Sequence, residues 1–375
     1  NIDRLEYRRS NLQPDGCKLP TGQVLNDAGI LSEAFDAVEQ LAPWNGLGQG
    51  PNRGVGIAAC MWLTNPMPGS ATLKLNSDGT LGVLTAATEN GSGAIATGVR
   101  QIAAEEFGLP AEKVIVTMPD TDAAAFDAGS QGSRTTHIVG RAIREAAIEV
   151  RAQILDTAAD MLEAAPEDLA LANEMVSVSG SPSKQVSLAE VAATAQANSG
   201  PISGTGSYTT PMPPINPTCA SGLLFPAFPT PTYHVHVAEV EIDPTTGIVR
   251  VLRYLVAQEV GKAINPQAVR GQIQGGVAQG LGYALWETLQ IDAGRYSQRT
   301  LEAYGLPLAT DTPEVEIALL EHPDPAGPFG AKGVAEPPII PVAAAIGNAV
   351  EHAIGKSVNT IPITAEHVLD ALSNS

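Results

Sequence analysis

One carboxylate in the sequence stands where acid–base chemistry could be arranged. Glu336 follows a glycine-rich stretch, residues 327–335, and directly precedes two prolines and an apolar helix predicted over 337–354. Glycine lets the backbone approach a ligand closely, and the dipole at a helix N-terminus favours the ionised carboxylate. Burial in a pocket would favour the neutral form, so this group could be tuned as a general base. The residue types alone are equally consistent with a carboxylate that only caps the helix.

A second candidate is the turn formed by Gly91, Ser92 and Gly93, which follows a predicted strand and precedes a predicted helix. Backbone N–H groups at such a helix start can bind anions. A dinucleotide site would need a third glycine at position 96, which is Ala96. The fragment by itself therefore favours an ordinary tight turn over an anion site.

Two histidines have the spacing of metal ligands. His234 and His236 alternate along a predicted strand, so both side chains point to one face. No convincing third ligand lies nearby in the sequence, and a zinc site needs at least three protein ligands. We therefore predict partly buried structural histidines, and no metal site made of protein side chains.

The elements that must position these residues recur in the same order twice. Each half predicts a hairpin, a helix, a strand and a second helix: 71–88, 97–108, 113–118 and 138–164, then 233–257, 265–287, 314–320 and 337–354. This order predicts an α+β fold of two tandem similar subdomains, each a mixed sheet with helices packed on it. The predicted domains are a lead-in over 1–65 with one helix at 31–41, a first subdomain over 66–196, a Pro/Gly-rich connecting loop over 197–232, and a second subdomain over 233–375 that carries Glu336.

Composition excludes several classes of protein. The net charge of -19 over 375 residues argues against binding to nucleic acid or to an anionic membrane surface, because both need a basic face. No apolar stretch approaches the length of a membrane span, and we expect a soluble, cytoplasmic protein. The three cysteines form no CxxC pair, so this chain should not carry an iron–sulfur cluster. Because the chain opens with Asn1, we expect a processed chain or a piece of a longer one.

Several ordered segments together carry a resemblance that no single motif carries. They are ATENGSGAIATGVRQIAAEEFGLP, GSQGSRTTHIVGRAI, EIDPTTGIVRVL, EVGKAINPQAV, GQIQGGVAQGLGYALWE, GPFGAKGVAEPP and NTIPITAEHVLDAL. The sequence resembles the molybdopterin-binding subunit of the xanthine dehydrogenase, aldehyde oxidoreductase and carbon monoxide dehydrogenase family. The resemblance covers nearly the whole chain, but only the C-terminal half of that subunit.

The resemblance implies a role for each candidate. Glu336 matches the general base, which takes a proton from a molybdenum-bound hydroxyl so that water-derived oxygen is added to a heterocycle, aldehyde or similar small molecule. The cofactor-binding positions it implies are Gly91, Ser92, Gly93, Gly132, Ser133, Arg134 and Thr135, with Gln279 near the metal. In the second of these segments, hydroxyls, N–H groups and the guanidinium could hold the pterin and its phosphates.

The resemblance also implies partners. The cofactor would be a molybdenum–pterin, with iron–sulfur clusters and FAD on other chains or domains and the N-terminal half of the subunit supplying the other walls. This chain alone should therefore be inactive. Ser92 stands where the family usually has glutamine, Ala335 where it usually has glycine, and Glu259 where it often has aspartate. These departures leave an alternative, a non-catalytic scaffold or assembly protein that retains the fold.

Overall fold

The predicted hairpins, strands and helices occur in the predicted order, with further strands and helices between and around them. A computed structural model of the chain describes residues 2–117 and 119–373. The helices are α1 Arg4–Arg9, α2 Ile30–Leu41, α3 Arg100–Phe107, α4 Thr135–Leu162, α5 Leu188–Asn198, α6 Pro217–Ala220, α7 Pro266–Leu285, α8 Leu301–Tyr304, α9 Val342–Ile354 and α10 Ala365–Ser373. The strands are β1 Cys17–Lys18, β2 Val24–Leu25, β3 Arg53–Trp62, β4 Gly69–Leu75, β5 Leu81–Thr85, β6 Val114–Thr117, β7 Leu169–Ala172, β8 Met175–Val178, β9 Ser181–Ser187, β10 Ser203–Tyr208, β11 Thr232–Ile242, β12 Val249–Glu259, β13 Ile291–Asp292, β14 Arg295–Tyr296 and β15 Val315–Leu320.

Two four-stranded mixed sheets share one topology. Their strand orders are β10-β4-β5-β6 and β3-β11-β12-β15. In each sheet a hairpin forms the two central strands, and a third strand lies parallel to the second strand of the hairpin. A fourth strand pairs antiparallel with the first strand of the hairpin. This repeated topology confirms the prediction of an α+β fold with two similar subdomains.

The fourth strand of each sheet comes from a segment that the sequence pattern did not assign to it. Strand β3 lies within the predicted lead-in but completes the second sheet, and β10 lies within the predicted connecting loop but completes the first. Each strand carries two glycines in alternation, and glycine weakens the strand pattern. A Cβ on Gly56 would collide with the carbonyl oxygen of Ala345, and one on Gly206 with that of Ala142. The glycines therefore let α9 and α4 pack directly on these strands.

Helix ends follow local sequence signals. Gly108 ends α3 in the left-handed conformation, and Asn265 caps α7 by accepting from the N–H of Ala268. The helix predicted over 337–354 is instead a short 3-10 turn, Pro337–Ile339, followed by α9. Pro341 separates the two because its nitrogen carries no hydrogen to continue the helical bonds.

The cores lie between each sheet and its helices. The first sheet packs on α3, α4 and α5, and the second packs on α7 and α9. Helix α2 covers the opposite face of the second sheet, where Phe35, Ile57 and Leu255 are fully buried. A small sheet of β7, β8 and β9 follows α4. Both faces of the second sheet are therefore covered. This sheet contains β15, the strand that precedes Glu336 in the chain.

His234 and His236 are structural residues, more deeply buried than the sequence suggested. Both are fully buried on β11. His234 Nε2 lies 2.8 Å from Thr232 Oγ1, and His236 Nδ1 lies 3.1 Å from the hydroxyl of Tyr254. Burial lowers the pKa of His234 well below its ordinary value and that of His236 to about 3. Both rings are therefore neutral in the folded protein.

These histidines make folding stability depend on pH. Their pKa values lie below the unfolded value, so stability is full above about pH 6.5 and falls as the unfolded chain takes up protons below it. From about pH 7 to about pH 5.5, each should contribute a loss of about 1 kcal/mol. Urea unfolding of His236→Gln and the unmodified chain at both pH values should show that difference in pH dependence. An unchanged pH dependence in the variant would contradict the assignment.

Candidate functional site

The two subdomains meet at a cleft of about 340 Å³. Its walls come from the loop before α3, the start of α4, the start of α7 and the segment before α9. Of the candidates from the sequence, Gly91, Ser92, Gly93, Ser133, Arg134, Thr135 and Glu336 line it. The structure thus brings together residues from positions 91 to 336, which the sequence alone could not place side by side.

Glu336 is half-buried at this cleft, and its carboxylate accepts three hydrogen bonds from the described part of the chain. The backbone N–H of Gly132 donates to Oε1 at 3.0 Å, and the indole of Trp62 donates to Oε2 at 3.0 Å. The hydroxyl of Ser133 donates to Oε2 at 3.3 Å and accepts from the N–H of Glu336 at 3.0 Å. Gly132 and Ser133 both have a left-handed backbone conformation, and in this conformation the N–H of Gly132 and the hydroxyl of Ser133 point to the carboxylate. Glu336 is therefore fixed to the second candidate segment, and it makes no cap bond to its own helix.

Buried polar contacts fix the segment that leads to Glu336. His137 Nδ1 donates to the carbonyl of Ala331 at 2.9 Å, and the hydroxyl of Thr210 donates to Nε2 at 3.0 Å. A carbonyl only accepts, so the proton is assigned to Nδ1, and burial lowers the pKa of His137, which keeps the ring neutral. The N–H of Gly333 donates to Thr64 Oγ1 at 2.9 Å. These contacts leave little freedom in the path of the chain toward position 336.

A buried ion pair also holds the segment that leads to Glu336. Lys332 Nζ lies 3.1 Å from Glu259 Oε2 and 3.0 Å from the carbonyl of Pro231. Burial raises the pKa of Glu259, and the charge of Lys332 partly offsets that rise. Glu259, a departure noted in the sequence, thus serves as the partner of Lys332, four residues before Glu336.

In the turn at Gly91, the backbone N–H groups that could bind an anion are already hydrogen-bonded to a carboxylate of the same loop. The carboxylate of Glu89 accepts from the N–H groups of Gly91, Gly93, Ile95 and Ala96 at 2.8–3.1 Å. Burial raises the pKa of Glu89, but the four backbone donors outweigh that effect and lower it. The backbone of Gly91 is open, because no described residue other than its two chain neighbours has an atom within 4 Å of where a Cβ would stand. This loop therefore offers the cleft bare backbone and the side chain of Ser92, while its backbone donors hold Glu89.

Arg134 requires a correction, because its guanidinium is fully used within the protein. It donates to both oxygens of Asp127 at 2.8 and 3.2 Å and to the carbonyls of Met67, Pro68 and Gly129. These five bonds use every guanidinium N–H, and the side chain has no exposed surface. In this arrangement the guanidinium therefore has no donor left for a phosphate.

Gln279 is also placed differently from the expectation. It is exposed on α7 and is absent from the cleft, whereas Gln272 lines it. The two positions lie on nearly the same face of the helix but about 10.5 Å apart along its axis. Gln272 and Trp62 are thus functional candidates that the sequence analysis missed. The repeated pairing of glutamine with glycine in GQIQGGVAQG was the only signal for Gln272.

Comparison with known proteins decides the family. The molybdopterin cofactor-binding domain family matches residues 31–313. The chain belongs to this family. It is 32% identical over 390 aligned positions to the xanthine dehydrogenase molybdenum-binding subunit of Escherichia coli O157:H7, covering 98% of this chain and 49% of that protein.

Solved structures agree with this assignment. Quinoline 2-oxidoreductase from Pseudomonas putida 86 superposes with a TM-score of 0.80 at 28% identity, over 100% of this chain and 50% of that chain. A Cu,Mo-CO dehydrogenase superposes with a TM-score of 0.82 over 99% of this chain and 49% of that chain, and at 23% identity it shares the fold. This molybdopterin-binding domain therefore spans about half the length of the relatives that it matches. Within residues 2–117 and 119–373, no helix is long and apolar enough to cross a membrane.

The residues of the cleft fit a molybdenum–pterin cofactor. Thr136, Gln272 and Lys262 add a hydroxyl, an amide and an ammonium group to the bare backbone at Gly91. This mixture suits a polar, planar group that carries phosphate. The described part of the chain contains no group of three or more His, Cys, Asp or Glu side chains that could hold a metal ion.

Proposed function

We propose that this chain is the C-terminal portion of the molybdopterin-binding subunit of a molybdenum hydroxylase, with Glu336 as general base. Its substrate would be a heterocycle, aldehyde or similar small molecule. The observation that carries the proposal is that Glu336 lines the same cleft as the two segments assigned to the cofactor. A carboxylate that merely capped a helix would not need three donors from elsewhere in the fold.

Within the chain, some residues would bind the cofactor and Glu336 would take up the proton. Gly91, Ser92, Ser133 and Thr135, with Gln272, would hold the pterin. When bound, the cofactor would supply the redox chemistry of the reaction. Glu336 accepts a proton, and the donors from Trp62, Gly132 and Ser133 hold its carboxylate in place. The contacts of His137 and Lys332 fix the distance from this carboxylate to the cofactor segments.

The remaining parts of the enzyme would lie on other segments. The matched relatives are about twice as long as this chain, and their other half would complete the walls around cofactor and substrate. Iron–sulfur and flavin partners would carry the electrons away. The chain by itself should therefore hold no stoichiometric molybdenum.

Reconstitution tests this proposal. Coexpression of the chain with the missing half and with iron–sulfur and flavin partners should give a complex that contains molybdenum. That complex should reduce an acceptor when given a suitable purine, quinoline or aldehyde, and oxygen from isotopically labelled water should enter the product. An assembled, molybdenum-loaded complex that reduces no acceptor with any of them would instead support a scaffold. Stoichiometric molybdenum in the isolated chain would contradict the need for the missing half.

A further inference from the structure

Trp62 joins a strand of the second sheet to the carboxylate of Glu336. It is the last residue of β3, and its indole N–H donates to Glu336 Oε2 at 3.0 Å. Residue 62 pairs with Thr232 in the sheet, and its ring packs edge-on against Phe225 with centroids 5.7 Å apart. The indole is therefore held on one side by the sheet and on the other by the loop that contains Phe225. A donor fixed in this way restricts the rotation of the carboxylate that it contacts.

The three donors are shared unequally between the two oxygens of Glu336. An ionised carboxylate offers about four lone-pair positions, two on each oxygen. Among residues 2–117 and 119–373, Trp62 and Ser133 both donate to Oε2, whereas Gly132 alone donates to Oε1. One position is thus left, and it lies on Oε1. The distribution of donors makes the two oxygens chemically different.

We propose that Trp62 is a positioning residue that occupies Oε2 of Glu336 and so makes Oε1 the oxygen that takes the proton. The inference rests on the proposed function of Glu336 as base. Without the indole, Ser133 at 3.3 Å is the one donor to Oε2 that remains among the residues that the structure describes. The carboxylate can then rotate, and either oxygen can face the cofactor. Loss of the indole N–H should therefore slow the proton transfer and leave substrate binding intact.

The hydrogen bond can be tested in the 375-residue chain without any activity. The chain has three tryptophans, and Trp44 provides a matched control because its indole donates to the carboxylate of Asp3 at 3.0 Å. In nitrogen-labelled protein, Trp62→Phe and Trp44→Phe identify two of the three indole N–H resonances. Glu336→Gln should move the Trp62 resonance upfield and leave that of Trp44 in place, because a neutral amide is a weaker acceptor than a carboxylate. Asp3→Asn should do the reverse, which also shows that each variant is folded. An unmoved Trp62 resonance in Glu336→Gln would overturn the proposal.

The functional consequence is measured in the assembled, cofactor-loaded complex. Trp62→Phe keeps the aromatic ring but removes the donor, and kcat should fall about tenfold to a hundredfold with little change in KM. Trp44→Phe should leave both constants unchanged. A raised KM at unchanged kcat, or no change at all, would overturn the positioning role. If the unmodified complex reduces no acceptor while the resonance of Trp62 still responds to Glu336→Gln, the proposed function fails and the hydrogen bond stands.

Discussion

Replacement of Glu336 by glutamine is expected to lower the hydroxylation rate of the assembled complex by about 10²- to 10⁴-fold, the range over which a positioned general base contributes. Glutamine has almost the same shape but cannot take up a proton. Its amide nitrogen also cannot accept, so one or two of the donors from Gly132, Trp62 and Ser133 lose their acceptor. The effect should therefore appear in kcat, with only a modest loss of stability.

The measurement needs molybdenum content and rate on the same preparation. Glu336→Gln should retain its molybdenum and its thermal unfolding midpoint to within a few degrees, and should lose the substrate-dependent reduction of an acceptor. Glu190→Gln is the matched control, because Glu190 is an exposed carboxylate in the capping box of α5. A Glu336→Gln complex that keeps its metal and at least a tenth of the rate would show that another group removes the proton.

Local patterns in the sequence were sufficient for most of the elements. The hairpin around Asp243, the cap at Asn265 and the left-handed ending at Gly108 are determined by residues within a few positions of one another. Turns and caps of this kind depend on backbone conformation and side-chain chemistry that neighbouring residues supply. Both hairpins and most of the helices were therefore predicted correctly, whereas the helix predicted over 337–354 begins as a separate 3-10 turn. The segments assigned to the cofactor came from a resemblance, because glycine spacing alone favoured an ordinary turn at Gly91.

The partners of the site residues could not be predicted in this way. Trp62 is 274 positions from Glu336, and nothing local marks it as a donor to a carboxylate. Strand β3 joins a sheet whose other strands follow the whole first subdomain in the sequence, and β10 is separated from the other strands of its sheet by α4, a small sheet and α5. The helical period places Gln272 and Gln279 on the same face of α7, but it does not tell which turn of the helix borders the cleft. The packing of α7 shows that the turn with Gln272 does so.

Arg134 lies in the second candidate segment, and its contacts explain how that segment is held in place. The residue lies beside the cleft, as the resemblance implies, but Asp127 and three carbonyl groups take all of its donors. Asp127 is itself almost fully buried, with 1% of its side chain exposed. A buried carboxylate without a partner is costly, so the pair holds the loop over 127–134 in place. Because Arg134 is buried in its pair with Asp127, the segment is held where Gly132 and Ser133 can donate to Glu336.

Substitution of Arg134 by methionine should therefore destabilise the chain before any cofactor is involved. Breaking a buried ion pair by removing one partner typically costs about 3–5 kcal/mol, because the remaining charge stays buried. Urea unfolding of the isolated chain should show a loss of this size, and adding Asp127→Asn to the variant should recover part of it, because the stranded charge is removed. Arg250→Met is the control, since Arg250 is 74% exposed and its pair with Glu241 spans 4.0 Å, so its loss should cost less than about 1 kcal/mol. If Arg134→Met left the stability of the isolated chain unchanged and impaired only the retention of cofactor in the complex, the guanidinium would be a phosphate ligand after all, and the inward ion pair would not describe the functional state.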